Sequence, residues 1–236
     1  MLIDDVLALD AGGLTSSLSF PAQEKIRAIL LTHYHFDHIR DIATLGLATA
    51  LLGPTNVYST PVVLEALSAH LINGEIYPKF TQWPSPERPS LLLCPMEPYR
   101  TVTIEGYNVV ALPVNHTVPT VGYQVVANDK SALFYTGDTG PGLSSCWPYI
   151  SPQLLIAEVS GSNRWEKRMR EAGHLTPRLL KDELVEFREL KGYLPPVIAV
   201  HMNPSLESEI ETEVAQVARE LDSPVTLAYE GMRLHL

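Results

Sequence analysis

The sequence has only two cysteines, Cys94 and Cys146, far apart and matching no paired zinc or redox spacing. That excludes a cysteine-built metal site, and two free thiols in a reducing compartment are the expectation. No apolar run is long enough to span a bilayer. The opening residues carry Asp4 and Asp5 where a leader would carry basic residues, so a cytoplasmic chain with no membrane contact is expected. A basic stripe is missing too: 17 basic side chains stand against 27 acidic ones, a formal net charge of −10. A protein that grips a polyanion usually carries such a stripe, so nucleic acid is not an expected partner. The densest basic stretch, Arg164 to Arg170, is offset by Glu166 and Glu171 and reads as a solvated helix face. There is no internal repeat, low-complexity tract or clear linker. With 45% apolar and 19% charged residues, residues 1–236 are expected to form a single globular domain.

What the chain does have is His33-Tyr34-His35-Phe36-Asp37-His38, placed directly after the apolar run from Ile26 to Thr32. A buried strand that runs out into four metal-type side chains is how a sheet edge holds a charged cofactor. In an extended segment residues two apart point the same way, so His33, His35 and Asp37 should form one row, with His38 on the turn that follows. Four groups from one short loop are too many for one small tetrahedral ion if other segments add ligands, so the pattern asks for two ions. Other segments do add them. His116 follows the apolar strand Val109 to Val114, Asp138 follows Ala132 to Phe134, and His201 ends Val197 to Val200.

Apolar strands alternate with helical segments throughout, which argues for layered α and β structure. After the hexad, Ile39 to Leu51 suits a helix on the sheet, ended near Gly53-Pro54. Thr60-Pro61 and Thr176-Pro177 read as N-cap and first helical residue before helices over 62–71 and 178–191, the second stopped by Gly192. Glu207 to Leu221 makes a further helix and Val225 to Ala228 a late strand. Residues 73–100 hold six prolines among Tyr77, Phe80, Trp83 and Tyr99 and predict a long ordered loop. That loop is either a surface excursion packed by its own aromatics or a cleft wall that stacks a purine base.

The HxHxDH loop, the isolated His116, Gly137-Asp138-Thr139 and His201 together resemble the metallo-β-lactamase fold hydrolases, in matching order along nearly the whole chain. Ala172 to Pro177 after Glu158-Val159-Ser160, then Val200 to Pro204, look like the phosphodiesterase branch. That branch holds the class II cyclic-nucleotide phosphodiesterases and the tRNA 3′-processing endonuclease RNase Z. Asn115 to Pro119 and Asn73 to Pro78 look closer to the cyclic-nucleotide side. The resemblance implies a four-layer αββα sandwich. It implies that His33, His35 and His116 bind one metal, that Asp37, His38 and His201 bind the other, and that Asp138 bridges them. The family usually begins with one more strand; here Ile3 to Gly12 reads like its second strand, so the usual first strand is expected to be missing.

Two cations about 3.5–4 Å apart can bridge a hydroxide, lower its pKa and stabilise charge on phosphoryl oxygens during in-line attack. His-rich sites suit zinc, and mixed His and Asp ligation also admits manganese or iron. Asp37 has a second role carried over from the resemblance, holding the nucleophile's proton. His174 stands just ahead of a helix whose positive end disfavours an imidazolium. A neutral imidazole there can donate to an oxyanion or protonate a leaving alkoxide, or simply cap the turn. Glu158 could orient His174 or a ligand, or serve only as a strand-end carboxylate. His70, His235 and Ser205 fit no site.

The expected function is a binuclear metal-dependent phosphodiesterase acting on a small phosphodiester, a 3′,5′-cyclic nucleotide before others; a homodimer is compatible with it. An RNase Z-like nuclease is the runner-up, disfavoured by charge and by a gap from His116 to Asp138 too short for a tRNA-gripping arm. Lactone or thioester hydrolysis would leave His174 without a role. A non-catalytic scaffold should have lost ligands, and all seven positions are filled.

Overall fold

The computed structural model describes residues 1–236. They form two compact units, Met1–Gly106 and Tyr107–Leu236. Each has its own sheet and its own apolar core.

The first unit contains strands β1 (Leu2–Ile3), β2 (Leu7–Leu9), β3 (Ala28–Leu30), β4 (Thr55–Ser59), β5 (Pro84–Ser85), β6 (Arg88–Pro89), β7 (Leu91–Pro95) and β8 (Thr101–Ile104). Its helices are α1 (Leu14–Ser17), α2 (Phe20–Gln23), α3 (Phe36–Ile39), α4 (Asp41–Ala48) and α5 (Pro61–His70). The main sheet runs β1-β2-β3-β4-β7, parallel except for the β1–β2 pair. Leu7, Ala8, Leu9, Ala28, Ile29 and Leu30 are all buried, so both faces of these strands are covered. That is why they read as unbroken apolar runs with no alternation. Ile29 and Val57 pack with Ile42, Leu45 and Leu64 from the helices.

Three expectations change here. The segment Ile3 to Gly12 is not one strand: Asp4 and Asp5 take positive φ angles of 45° and 64°, and Val6 N donates to Ile3 O at 3.0 Å. Asp tolerates that region, so a tight turn sends the chain back and β1 precedes the parallel strands. Residues 73–100 are not all loop, because Leu91–Pro95 adds a fifth strand, β7, beside β4. Its apolar run is masked in sequence by Pro89 and Pro95. Phe80 is fully buried, 5.8 Å from Trp83 and 6.3 Å from Tyr77 between ring centres, and all three join the apolar core. Burial of Phe80 accords with packing by the segment's own aromatics; Tyr99 is the exposed one of the four. The helix expected over 39–51 divides into α3 and α4.

The second unit contains β9 (Tyr107–Val114), β10 (Thr120–Val126), β11 (Ala132–Tyr135), β12 (Leu154–Glu158), β13 (Val197–Val200) and β14 (Val225–Leu227), with α6 (Glu166–Glu171), α7 (Pro177–Lys191) and α8 (Glu207–Leu221). Its strands lie in the order β14-β13-β12-β11-β10-β9. β9, β10 and β11 form an antiparallel meander, and β11 to β14 are parallel. Thr176 Oγ1 accepts from Leu179 N at 3.4 Å to start α7, and Gly192 at φ 78° ends it. Leu180, Leu184 and Phe187 of α7 and Val214 and Val217 of α8 bury their apolar stripes in one core with Phe134 and Trp147. No helix of the chain is long and apolar enough to cross a membrane. Both sheets and their helices give the mixed α/β class expected for a metallo-β-lactamase type fold.

Candidate metal centre

The candidate ligands follow the ends of strands, directly or, for Asp37 and His38, on the helical turn just beyond. In the first unit β3 runs out through Leu31 and Thr32 into His33. The extended backbone stops at His35, which precedes α3, so Asp37 and His38 sit on a helical turn and not in one row with His33 and His35. That turn lies against Gly12, where an added Cβ would fall 1.7 Å from Asp37 O. Only glycine permits the approach, and with it Ala11 N donates to His38 O at 2.7 Å. The result is a cluster in which the His33 ring centre lies 4.7 Å from that of His35 and 4.1 Å from that of His38. Asp37 is exposed, with its carboxylate 3.7 Å from His38 Nε2.

Asp10, at the end of β2, organises this cluster and was not read from the sequence. Its carboxylate is buried and accepts from Thr32 N at 2.8 Å, from Thr32 Oγ1 at 2.9 Å, and from His38 Nδ1 at 2.8 Å. Burial alone would raise its pKa; the bond to His38, the charge of that ring and the Thr32 N–H outweigh burial and lower it. Thr32 Oγ1 in turn lies 2.9 Å from His33 Nδ1. The same strand-end logic that picks out His116 and His201 would have found Asp10 after Leu7-Ala8-Leu9.

The second unit gathers His116, Asp138, Glu158, His174 and His201 from four strand ends and one loop. His116 Nδ1 donates to Gly173 O at 2.8 Å. Asp138 Oδ2 lies 4.0 Å from His116 Nε2, and Asp138 Oδ1 lies 3.4 Å from His201 Nε2. Candidate donor atoms of Asp138, His174 and His201 all lie within 4.8 Å of one another. Glu158 is fully buried at the end of β12. Its Oε1 accepts from His174 Nδ1 at 2.7 Å and Thr139 N at 3.1 Å; its Oε2 accepts from Ser160 N, Ser160 Oγ and Leu175 N at 3.0 to 3.2 Å.

Burial pushes the Glu158 carboxyl up, with His174 partly offsetting it. For His174 burial acts downward, but the Glu158 bond and charge prevail and its pKa is raised. The α7 terminus therefore does not decide this ring's charge, since Pro177 starts the helix beyond it and Glu158 touches it directly. His201 has φ 64°, a left-handed conformation uncommon for residues other than glycine. His70 and His235 take no part in either cluster, the first ending α5 and the second lying next to the C-terminus.

The donor chemistry fits divalent metal. His33, His38, His116 and His201 each have Nδ1 engaged by protein oxygen, on Thr32, Asp10, Gly173 and Ser160. Such anchoring fixes the ring and presents Nε2 as the coordinating atom, as metal-ligating histidines require.

A family model described as "Beta-lactamase superfamily domain" matches residues 2–202. A search of curated proteins found no match. Among solved structures, unliganded yeast PDE1 superposes with a TM-score of 0.78 at 20% identity, over 90% of this chain and 69% of that one. YhfI from Bacillus subtilis, a metallo-β-lactamase fold protein, gives 0.77 at 20% identity, over 98% and 88%. The short form of human tRNase Z, ELAC1, gives 0.69 at 19% identity, over 100% and 90%. At these identities the likeness establishes the fold. With strand-end His and Asp clusters in that fold, and a family match over most of its length, the chain belongs to the β-lactamase superfamily domain family and has the metallo-β-lactamase fold.

Proposed function

We propose that residues 1–236 act as one binuclear metal-dependent phosphodiesterase domain that hydrolyses a small phosphodiester, a 3′,5′-cyclic nucleotide before others. His33, His35 and His116 would hold one ion, Asp37, His38 and His201 the other, and Asp138 would be shared. Bound divalent ions supply Lewis acidity towards water and phosphoryl oxygens. Zinc suits the His-rich set best.

The observation that carries the reading is the His174–Glu158 pair, 2.7 Å apart, set beside Asp138 and His201. With Nδ1 held by a buried carboxylate, His174 has Nε2 to deliver a proton to a departing alkoxide. A sugar hydroxyl is a poor leaving group and needs that proton. Asp37, at an exposed position on α3, would hold the nucleophile's proton. The formal charge of −10 favours a small diester over a polynucleotide. Yeast PDE1 and human tRNase Z among the fold neighbours support phosphoester chemistry in general.

The test is a hydrolysis panel on zinc-, manganese- and iron-reconstituted protein: cyclic AMP, bis-p-nitrophenyl phosphate, a tRNA precursor and a lactone. Small diesters should be hydrolysed far better than the other two. Efficient tRNA cleavage without action on any small diester would replace this reading with tRNA processing, and lactone turnover alone would replace it with acyl hydrolysis.

A further inference from the structure

Two of the buried carboxylates, Glu158 and Asp10, are used in the same way. Glu158 takes one imidazole directly, His174 Nδ1 at 2.7 Å, and reaches a second, His201, through a hydroxyl: Ser160 Oγ lies 3.1 Å from Glu158 Oε2 and 2.9 Å from His201 Nδ1. Asp10, in the other unit, takes His38 Nδ1 directly at 2.8 Å and reaches His33 through Thr32 Oγ1, which is 2.9 Å from Asp10 Oδ2 and 2.9 Å from His33 Nδ1.

A hydroxyl by itself can either donate to an imidazole nitrogen or accept from it, so it fixes no tautomer. Beside a carboxylate, which only accepts when ionised, its single proton is committed. What remains is a lone pair, and the imidazole must then bring the proton. We infer that Ser160 and Thr32 are positioning residues, each held as an acceptor by its carboxylate so that His201 and His33 carry hydrogen on Nδ1 and offer Nε2 to metal. The inference rests on these two histidines being ligands, as in the proposed function. Ser160 is close to other groups as well, His174 Nδ1 at 3.1 Å and His201 O at 3.3 Å. The first has Glu158 Oε1 nearer, and the second is a carbonyl, which only accepts and so likewise leaves the hydroxyl lone pair for His201 Nδ1.

The backbone holds the relay in place. Asn203 N donates to Ser160 O at 3.2 Å and Val159 N to Val200 O at 2.8 Å, tying the Ser160 segment to the loop that carries His201. Thr32 is itself buried, and its own N–H donates to Asp10 Oδ1 at 2.8 Å.

The experiment uses Ser160→Ala, Ser160→Thr and Thr32→Val in the full chain. Long-range 1H–15N correlation of the imidazoles in metal-free protein, above their titration range, reads the tautomers. Wild type and Ser160→Thr should show His201 protonated at Nδ1, and Ser160→Ala should shift it towards Nε2–H; Thr32→Val should do the same at His33. Zinc titration should show about 10–100-fold weaker binding of one ion in each relay-broken variant, the scale of a lost partner behind a ligand, with Ser160→Thr close to wild type. An unchanged tautomer and unchanged affinity in Ser160→Ala and Thr32→Val would overturn the inference. Wild-type protein binding fewer than two ions would instead overturn the binuclear reading, and the metal-free spectra would then decide the relay on their own.

Discussion

His116 Nδ1 lies 2.8 Å from the carbonyl oxygen of Gly173, a residue 57 positions further along the chain. The loop that delivers His174 thus also aims His116. Gly173 has φ 71°, and a Cβ built there would stand 2.9 Å from His116 Nδ1 and 3.1 Å from Thr117 N. Gly173→Ala should therefore displace His116 as well as strain the backbone, weakening metal binding together with activity. Calorimetric metal titration checks this; wild-type metal affinity in the alanine variant would show that the loop gives way without moving the ring.

Asp10→Ala removes the acceptor for His38 Nδ1, Thr32 N and Thr32 Oγ1 at once. Leaving buried donors unmet costs on the order of 1–3 kcal/mol each, so the variant should melt well below wild type even without metal. It should also lose metal affinity. Asp10→Asn keeps an acceptor oxygen, and differential scanning calorimetry should place it between the two. Equal melting of all three proteins would mean that Asp10 is not structural.

His174→Ala should lower kcat by about 10²–10³, the scale of a lost donor to developing charge, with metal content little changed. Because protonation matters less for a stable anion such as p-nitrophenolate, the loss should be larger on a cyclic nucleotide than on an activated aryl diester. Equal losses on both would indicate a donor to a non-bridging phosphoryl oxygen, and loss of an ion would make His174 a ligand.

Both cysteines are free, and burial pushes the Cys146 thiol up to about 11. An exposed thiol in the unfolded chain ionises near about 8.5. The unfolded state thus releases this proton first, so stability falls as pH rises from the unfolded value to the folded one. Chemical denaturation at pH 7 and pH 10 should show a smaller loss in Cys146→Ala than in wild type. In native protein near pH 8, alkylation should reach Cys94 well before Cys146.

Which parts were legible from sequence follows from how local each signal is. The hexad announces itself because four ligand types fall within six residues, and His116, Asp138 and His201 stand out because each ends an apolar run. Helices α5 and α7 were readable from Thr-Pro at their starts, and Gly192 marked the end of α7. Strand β7 was not, since prolines on either side of Leu91 to Cys94 mask its period. Nor was the Asp4-Asp5 turn, whose residues look like any polar pair at a strand edge. Roles for Asp10, Thr32 and Ser160 depend on bonds spanning 22 to 41 residues along the chain, alongside the short Thr32–His33 and Ser160–Glu158 contacts, and hydroxyls and lone carboxylates carry no periodic mark. Glu158 was visible as a strand-end carboxylate, but its choice of His174 depends on a loop closing over 16 residues.

The left-handed backbone of His201 carries a thermodynamic consequence. A residue held at φ 64° costs on the order of 1–3 kcal/mol and persists only where its surroundings over-determine it. Here those surroundings are β13 and the Ser160 segment, so His201, a ligand in the proposed function, is aimed by the folded second unit before any ion arrives. Metal affinity then becomes a gauge of folding: by mass action an ion that binds only the folded form raises the melting temperature with concentration. Core substitutions that loosen β13, such as Ala199 or Val197 changes far from any donor atom, would read out as weaker metal binding.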